Sequence, residues 1–474
     1  MNTIADVALI AWPIVAFALF LSISARTAML SAIIVSWLFL PIHSIPLPLL
    51  PDLNKTTVAC GSIFACILIF DSQKLTQLQF KWYDLACLVL CICPFASSLI
   101  NDLGAYDGLS ASLLASFKWG LPYLIGRLSL RTTQDMREFA IAIFLGGVIY
   151  IPFCLYEIKM SPQLHATIYG MHQHSFAQTV RFGGWRPTVF MEHGLMVSAW
   201  MASATLCGYW LWRSGALAKL GRIPVWSLVI SLLATTILCK STGALILLAV
   251  GVAVLELTLL TQTRFALIAL LATAPLVIVT RTASDFSYEG LVDLVANYSA
   301  ERAESLEFRF RNEDILIAKA LQHPLFGWGG WGDSRVYDDD GNDISVTDGM
   351  WIIILGTNGL VGLTSLYLLL LTPPLLMTHR FRASTLASAE LGPSVSVAIC
   401  ITLFAIDCIP NAMFNPVFII ACGGIMQLQH LKEARVNLIT PQKYVPPRRT
   451  LANGNALPVA DGETEIHEVA KAAT

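Results

Sequence analysis

Apolar runs long enough to cross a bilayer recur from one end of this chain to the other, and they fix the class of fold. A helix of about twenty apolar residues spans the ~30 Å hydrocarbon layer. Because no water is available there, spanning backbone must be helical or closed into a barrel. The runs here are continuous rather than alternating over segments of about ten residues, which excludes an outer-membrane barrel. Candidate spans are 7–23, 28–40, 58–70, 83–100, 113–130, 139–156, 193–212, 224–239, 243–261, 265–280, 350–372, 394–409 and 414–427. The pattern predicts an all-α integral membrane protein with about 12–13 transmembrane helices and a large extracytoplasmic loop. Ten helices are expected in 1–282, the loop in 283–349, three more helices in 350–430 and a disordered cytoplasmic tail in 431–474. The run 113–130 carries Lys118 and Gly120-Leu121-Pro122, so it also reads as re-entrant or interfacial.

Charge sets the orientation and excludes some partners. Charged residues make up 13% of the chain, about half the share of a soluble domain, and the net charge of −2 argues against a nucleic-acid partner. Arg213, Lys219 and Arg222 mark one cytoplasmic connection, and His379, Arg380 and Arg382 another. Arg127, Arg131, Arg137, Lys74 and Lys81 agree with them by parity. The segments 157–192, 239–243 and 281–349 then fall together on the far side. No basic leader with a cleavage site precedes the first apolar run. All eleven cysteines lie in or beside apolar segments, as small core residues do.

The far-side segments hold the residues that point to chemistry. Arg181 and Arg186 flank Gly183-Gly184, a turn that aims two guanidinium forks at phosphate oxygens or anchors at lipid headgroups beside Trp185. Lys240 stands between two helices in Cys239-Lys240-Ser241-Thr242, where the N–H donors of a helix start add to its charge in holding an anion, or where it snorkels to the interface. Arg309 and Arg311 lie in the long loop, either at a site or solvated. Asp348 precedes the helix that begins near Met350, as a base or a cap, and Glu192-His193 is a second such pair. Asp338 to Asp343 lacks the terminal Glu of a calcium loop and reads as a solvated acidic turn, so no metal is expected. His323, Trp328, Trp331 and Tyr337 bracket a glycine-rich turn, where the aromatic rings stack on sugars or pack within the loop.

Between 306 and 363 these elements follow in an order that resembles the O-antigen ligase and O-antigen polymerase superfamily. The chain shows an Arg (Arg309), a polar helix, the turn His323-Pro324-Leu325 with Gly327 and Gly329, and Gly359-Leu360-Val361-Gly362-Leu363 inside the next apolar helix. The resemblance implies a multi-span enzyme of the bacterial inner membrane that uses undecaprenyl-diphosphate-linked glycan at the periplasmic face. Two departures stand out. Asp348-Gly349 replaces the His-Asn of the ligases, and Lys240-Ser241-Thr242-Gly243 replaces a common Ser-Arg-Gly. They favour a polymerase branch or a ligase with a different acceptor.

The resemblance assigns roles. Arg186, Arg309 and Lys240 stabilise the departing diphosphate, with Arg181 and Arg311 behind them, and Asp348 takes the acceptor proton. His323, Trp328, Trp331, Glu192 and His193 complete the binding residues. No cofactor is expected, in keeping with the lack of a nucleotide-binding loop. The implied partners are the lipid-linked glycan, the lipid bilayer and other polysaccharide-export proteins. The rival reading is a polytopic transporter, for which Lys118 with Pro122 and Asp407 with Pro410 are the features.

Overall fold

The computed structural model describes residues 3–47, 50–283, 287–297, 299–330 and 332–430. The tail expected to be disordered, and Trp331, lie outside the described residues. What is described is an all-α membrane protein.

The first helices are α1 (Thr3–Ser22), α2 (Ala25–Phe39) and α3 (Lys55–Phe70), followed by the short α4 (Gln73–Thr76) and by α5 (Leu85–Ile100). Next come α6 (Ala105–Ala115) and α7 (Leu121–Ser129), joined through the π-turn Ser116–Gly120. The segment read as a span or a re-entrant piece is thus a helix with one extra-wide turn at Lys118, beginning earlier than expected. A 28-residue α8 (Thr133–Met160), the short α9 (Leu164–Tyr169) and α10 (Gly194–Arg213) follow. Helices α11 (Val225–Leu238), α12 (Thr242–Thr261) and α13 (Phe265–Ala283) complete the first part of the bundle.

The long loop is not open coil. It contains α14 (Glu289–Ala296) and α15 (Ala300–Ala320) before α16 (Met350–Arg380), α17 (Ala383–Leu386), α18 (Gly392–Asp407) and α19 (Pro416–Gln427). Among the described residues α1, α5, α8, α12, α13 and α16 are long and apolar enough to cross a membrane. Helices α2, α3, α11, α18 and α19 are shorter and equally apolar.

Helix contacts within a bilayer depend on close backbone approach rather than on water exclusion. Between α7 and α19 a Cβ on Gly126 would meet the Ile420 carbonyl and one on Gly423 the Tyr123 carbonyl, each within 2.1 Å. Helix α10 packs against α8, α11, α12 and α18, burying Trp200 and Trp210 completely. Exposed apolar side chains lie on α1, α5, α11, α12 and α13, for example Ile14 at 72% and Ile230 at 57%.

Helix α16 is interrupted. Gly359 has φ 62 and ψ −163, a conformation open in practice to glycine alone, and the helix ladder breaks there. The His323–Gly329 turn fills the break. Trp328 N–H donates to the Gly356 carbonyl (2.9 Å), Gly329 N–H to the Thr357 carbonyl (3.0 Å), and Leu360 N–H to the Pro324 carbonyl (2.8 Å). From the end of α5, Ser97 Oγ donates to the Phe326 and Thr357 carbonyls, and the Asn101 side chain to the Gly327 carbonyl at 2.8 Å. Helix backbone freed at membrane depth must be satisfied by protein, and here the turn does so. The polar loop is thereby fastened to the bundle at the break inside α16, between Gly356 and Leu360.

Candidate active site

Asp348 leaves the loop one residue before the Gly349 cap of α16, and Arg309 projects from the middle of α15. Arg309 Nε lies 3.3 Å from Asp348 Oδ2, with both side chains a little under half exposed. Their registration is built. The buried Asn312 accepts from Val346 N–H at 3.0 Å, tying the segment before Asp348 to α15. On the loop side, Arg335 holds Asp343, the Thr347 hydroxyl at 2.8 Å and the Ser345 carbonyl at 2.5 Å. A Cβ at Gly349 would strike the Ile409 carbonyl, so the α16 start sits directly on the turn after α18.

Arg309 and Asp348 stand at a cavity of about 480 Å³. Its walls are mostly apolar: Leu276 and Val277 from α13, Leu291 from α14, Phe308 from α15, and Ile409 and Pro410. Arg281 and Glu313 add a second charged pair to the lining. The buried Arg281 reaches Glu313 (3.3 Å) and Asp314 (2.7 Å) and lies over the Phe310 ring at 5.0 Å. Burial pushes the Glu313 carboxyl up, against the pull of Arg281. A sequence reading treats Arg281 as a charge at a helix end. Only its position one turn past the apolar run, facing an acidic pair on a later helix, marks it as part of a site.

A second cluster of cations forms where α10, α11 and α12 meet. Val180–Arg181 pairs with Gly184–Trp185 in a hairpin whose two central residues, Phe182 (φ 48) and Gly183 (φ 66), both lie in the left-handed region. The Arg186 guanidinium donates to the Lys240 carbonyl at 3.0 Å, and Lys240 Nζ donates to the Arg181 carbonyl at 3.2 Å. Lys240 itself has φ 54, so its amine turns to the hairpin instead of to the start of α12. Arg186 is 7% exposed, and its Nε has no hydrogen-bond partner among the described residues. Burial, then the like charge of Arg181, lowers Arg186 to about 10, which leaves it charged at neutral pH.

The loop that carries Arg186 is held by a residue the sequence did not single out. Glu157, fully buried in the last turn of α8, accepts from Leu164, Thr188 and Val189 N–H groups at 2.7–2.9 Å. Val189 has φ 48, an uncommon state for a β-branched residue that these bonds hold in place. An acid ending an otherwise apolar helix was the available signal.

The remaining candidates separate. Arg311 is exposed and pairs with Glu307 on its own helix, outside the cavity. Lys319 Nζ lies 3.6 Å from the centroid of the Trp328 ring, the His323 ring lies 3.9 Å from it, and the Trp328 indole N–H donates to the Lys319 carbonyl. Those two aromatic groups pack against each other in the turn, and both also line a groove beside it. His193 caps α10 by accepting from Leu195 N–H, and its other nitrogen faces Gln178 at 3.2 Å. Burial lowers it to about 4, so it is neutral at physiological pH. Glu192 is exposed and forms no hydrogen bond or ion pair among the described residues. Asp338 uses its carboxylate to accept N–H groups of its own turn, from Asp340 and Asn342.

The end of α18 adjoins both clusters. Asp407 lines a small cavity with Ala199 of α10 and Ala244 of α12, while Ile409 and Pro410 line the Arg309–Asp348 cavity. Fixed cations, a carboxylate at one mouth and an apolar chamber suit an amphiphile with an anionic head. Residues 226–367, from α11 into α16, match the family model described as O-antigen ligase. That stretch, about a third of the chain, is similar to the O-antigen ligase domain. Lys240, Arg281, Arg309 and Asp348 fall inside it, whereas Arg181, Arg186, Glu192 and His193 lie before it. No curated protein matches the chain. This likeness, over part of the chain, supports an O-antigen ligase/polymerase-type membrane enzyme.

Proposed function

We propose that the protein transfers a glycan from an undecaprenyl-diphosphate carrier to an acceptor hydroxyl at the periplasmic face of the bacterial inner membrane. The product is an exopolysaccharide or O-antigen type chain. The observation that carries this reading is the Arg309–Asp348 pair at an apolar cavity, both residues inside the stretch similar to the O-antigen ligase domain. The carrier's first isoprene units lie against Leu276, Val277 and Phe308, and its diphosphate lies against Arg309.

The chemistry follows from the pair. An incoming diphosphate takes the Arg309 donors, because a guanidinium prefers a bidentate phosphate partner. Asp348 is then released to accept the proton of the acceptor hydroxyl. The hydroxyl oxygen forms the new bond to the anomeric carbon as the bond from that carbon to the diphosphate oxygen breaks. The diphosphate leaves with the electron pair, and its developing charge is what fixed cations in a water-poor site stabilise. Arg186 and Lys240 form the second cationic group.

Deleting the gene and analysing carrier-linked glycans tests the reading. Single repeat units accumulating on the carrier would identify a polymerase, and full-length chains retained on the carrier a ligase. Unchanged polysaccharide with no carrier-linked intermediate would overturn the proposal.

A further inference from the structure

A second groove of about 690 Å³ shares no lining residue with the Arg309–Asp348 cavity. It runs between the turn that ends α5 (Asn101, Asp102) and the loop around Trp328, Asp333, Arg335 and Tyr337, with Lys319 on its edge. We infer that this groove is a saccharide subsite that binds the sugar units of the growing or accepting glycan. The inference rests on the transferase reading for the identity of the sugar and on the groove itself for the rest.

Three observations carry it. The first is the supply of unengaged polar groups. The Asp102 and Asp333 carboxylates and the Tyr337 hydroxyl form no hydrogen bond or ion pair among the described residues, although all three line the groove. Carboxylates of this kind accept from paired sugar hydroxyls, and a phenol both donates and accepts.

The second is the balance of charge. Asp102 and Asp333 stand against Lys319 and Arg335, and Arg335 is already paired with Asp343 at 2.6 Å. Unlike the Arg181–Arg186–Lys240 cluster, this groove has no surplus of cations with which to hold a diphosphate. Near-neutral lining with polar atoms and the half-exposed Tyr337 ring fits a polyol whose C–H face lies on an aromatic.

The third is rigidity. The Asn101 side chain donates to the Gly327 carbonyl and the Trp328 indole to the Lys319 carbonyl, so both walls are fixed before any ligand arrives. A preformed site spares a ligand the ordering cost of binding. Its volume falls in the ordinary range for small-ligand pockets, about 300–1,000 Å³.

The test uses the full chain in nanodiscs and, as probe, oligosaccharides released by mild acid from the carrier lipid of cells that make the protein. Saturation-transfer NMR on the wild type is expected to show binding. Tyr337→Ala/Asp102→Asn, at matched thermal stability, should weaken binding at least about tenfold, while Arg309→Ala binds as the wild type does. In transfer assays the double variant raises KM at unchanged kcat. A rise in KM for carrier-linked donor places the growing chain in the groove, and a rise in KM for the acceptor places the accepting chain there. Equal binding by wild type and double variant, or no saccharide binding by the folded wild type, would overturn the inference. If instead Arg309→Ala transferred glycan normally, the transfer chemistry would fail while the groove stood.

Discussion

Arg309→Ala, inserted in the membrane at the wild-type level, is expected to lose about 10²–10³-fold in glycan transfer, the usual cost of removing one preorganised donor to a developing anion. Arg309 is close to half exposed and holds no carbonyl of the bundle, so the loss should come without unfolding. Arg309→Lys keeps the charge but not the planar fork and should recover only part of the rate. Arg311→Ala is the internal control. Two residues along α15 turn a side chain about 200° round the helix, and Arg311 is exposed and paired with Glu307. Its variant should transfer within about twofold of wild type, given how little exposed ion pairs contribute. Equal losses from both arginines would mean that general surface charge, rather than the cavity, sets the rate. The readout is polymer formed per unit of membrane-inserted protein.

Gly359→Ala should damage the fold more than any surface change. At φ 62 and ψ −163 a side chain adds strain on the order of 1–3 kcal/mol. A Cβ would also lie 2.4 Å from the Leu325 carbonyl carbon and oxygen and 2.6 Å from Gly327 N. Those atoms are backbone and cannot rotate away. The turn must lift off α16, which strips partners from the Gly356 and Thr357 carbonyls and loosens the anchorage of the loop that carries Asp348. Thermal unfolding in detergent should show a lower Tm, or the protein should fail to elute as a single species. Gly243→Ala, where a Cβ meets nothing within 4 Å, should leave both unchanged. An unaltered Tm for Gly359→Ala would show that the turn is not what holds the loop to the bundle.

The helices were legible because bilayer-spanning length and apolarity are local properties. The Arg309–Asp348 pairing was legible in part: both residues stood out, one in a polar helix and one at a helix mouth. What joins them did not, since Asn312 and Arg335 act through hydrogen bonds to backbone on other segments. Arg309 and Arg311 are alike in sequence and differ only in helix face, which is fixed by how α15 packs against α16. Gly359 was noticed as one of a glycine pair, but its reason is a contact with Leu325 across the whole loop. Trp328 reads in sequence either as a sugar platform or as packing within the loop, and the structure sets it against His323 and Lys319 on the wall of the groove of about 690 Å³. Glu157 and Arg281 were missed because a single charge at the end of an apolar run usually marks only the interface.

Asp348 is proposed to take the acceptor proton as the diphosphate leaves. The most direct test of that role is release of undecaprenyl diphosphate by purified protein supplied with carrier-linked glycan and acceptor, wild type against Asp348→Asn. Asparagine keeps the shape and cannot accept the proton, so release should match glycan transfer in the wild type and fall at least about 10²-fold in the variant, at unchanged Tm. Release by Asp348→Asn at the wild-type rate would contradict that role.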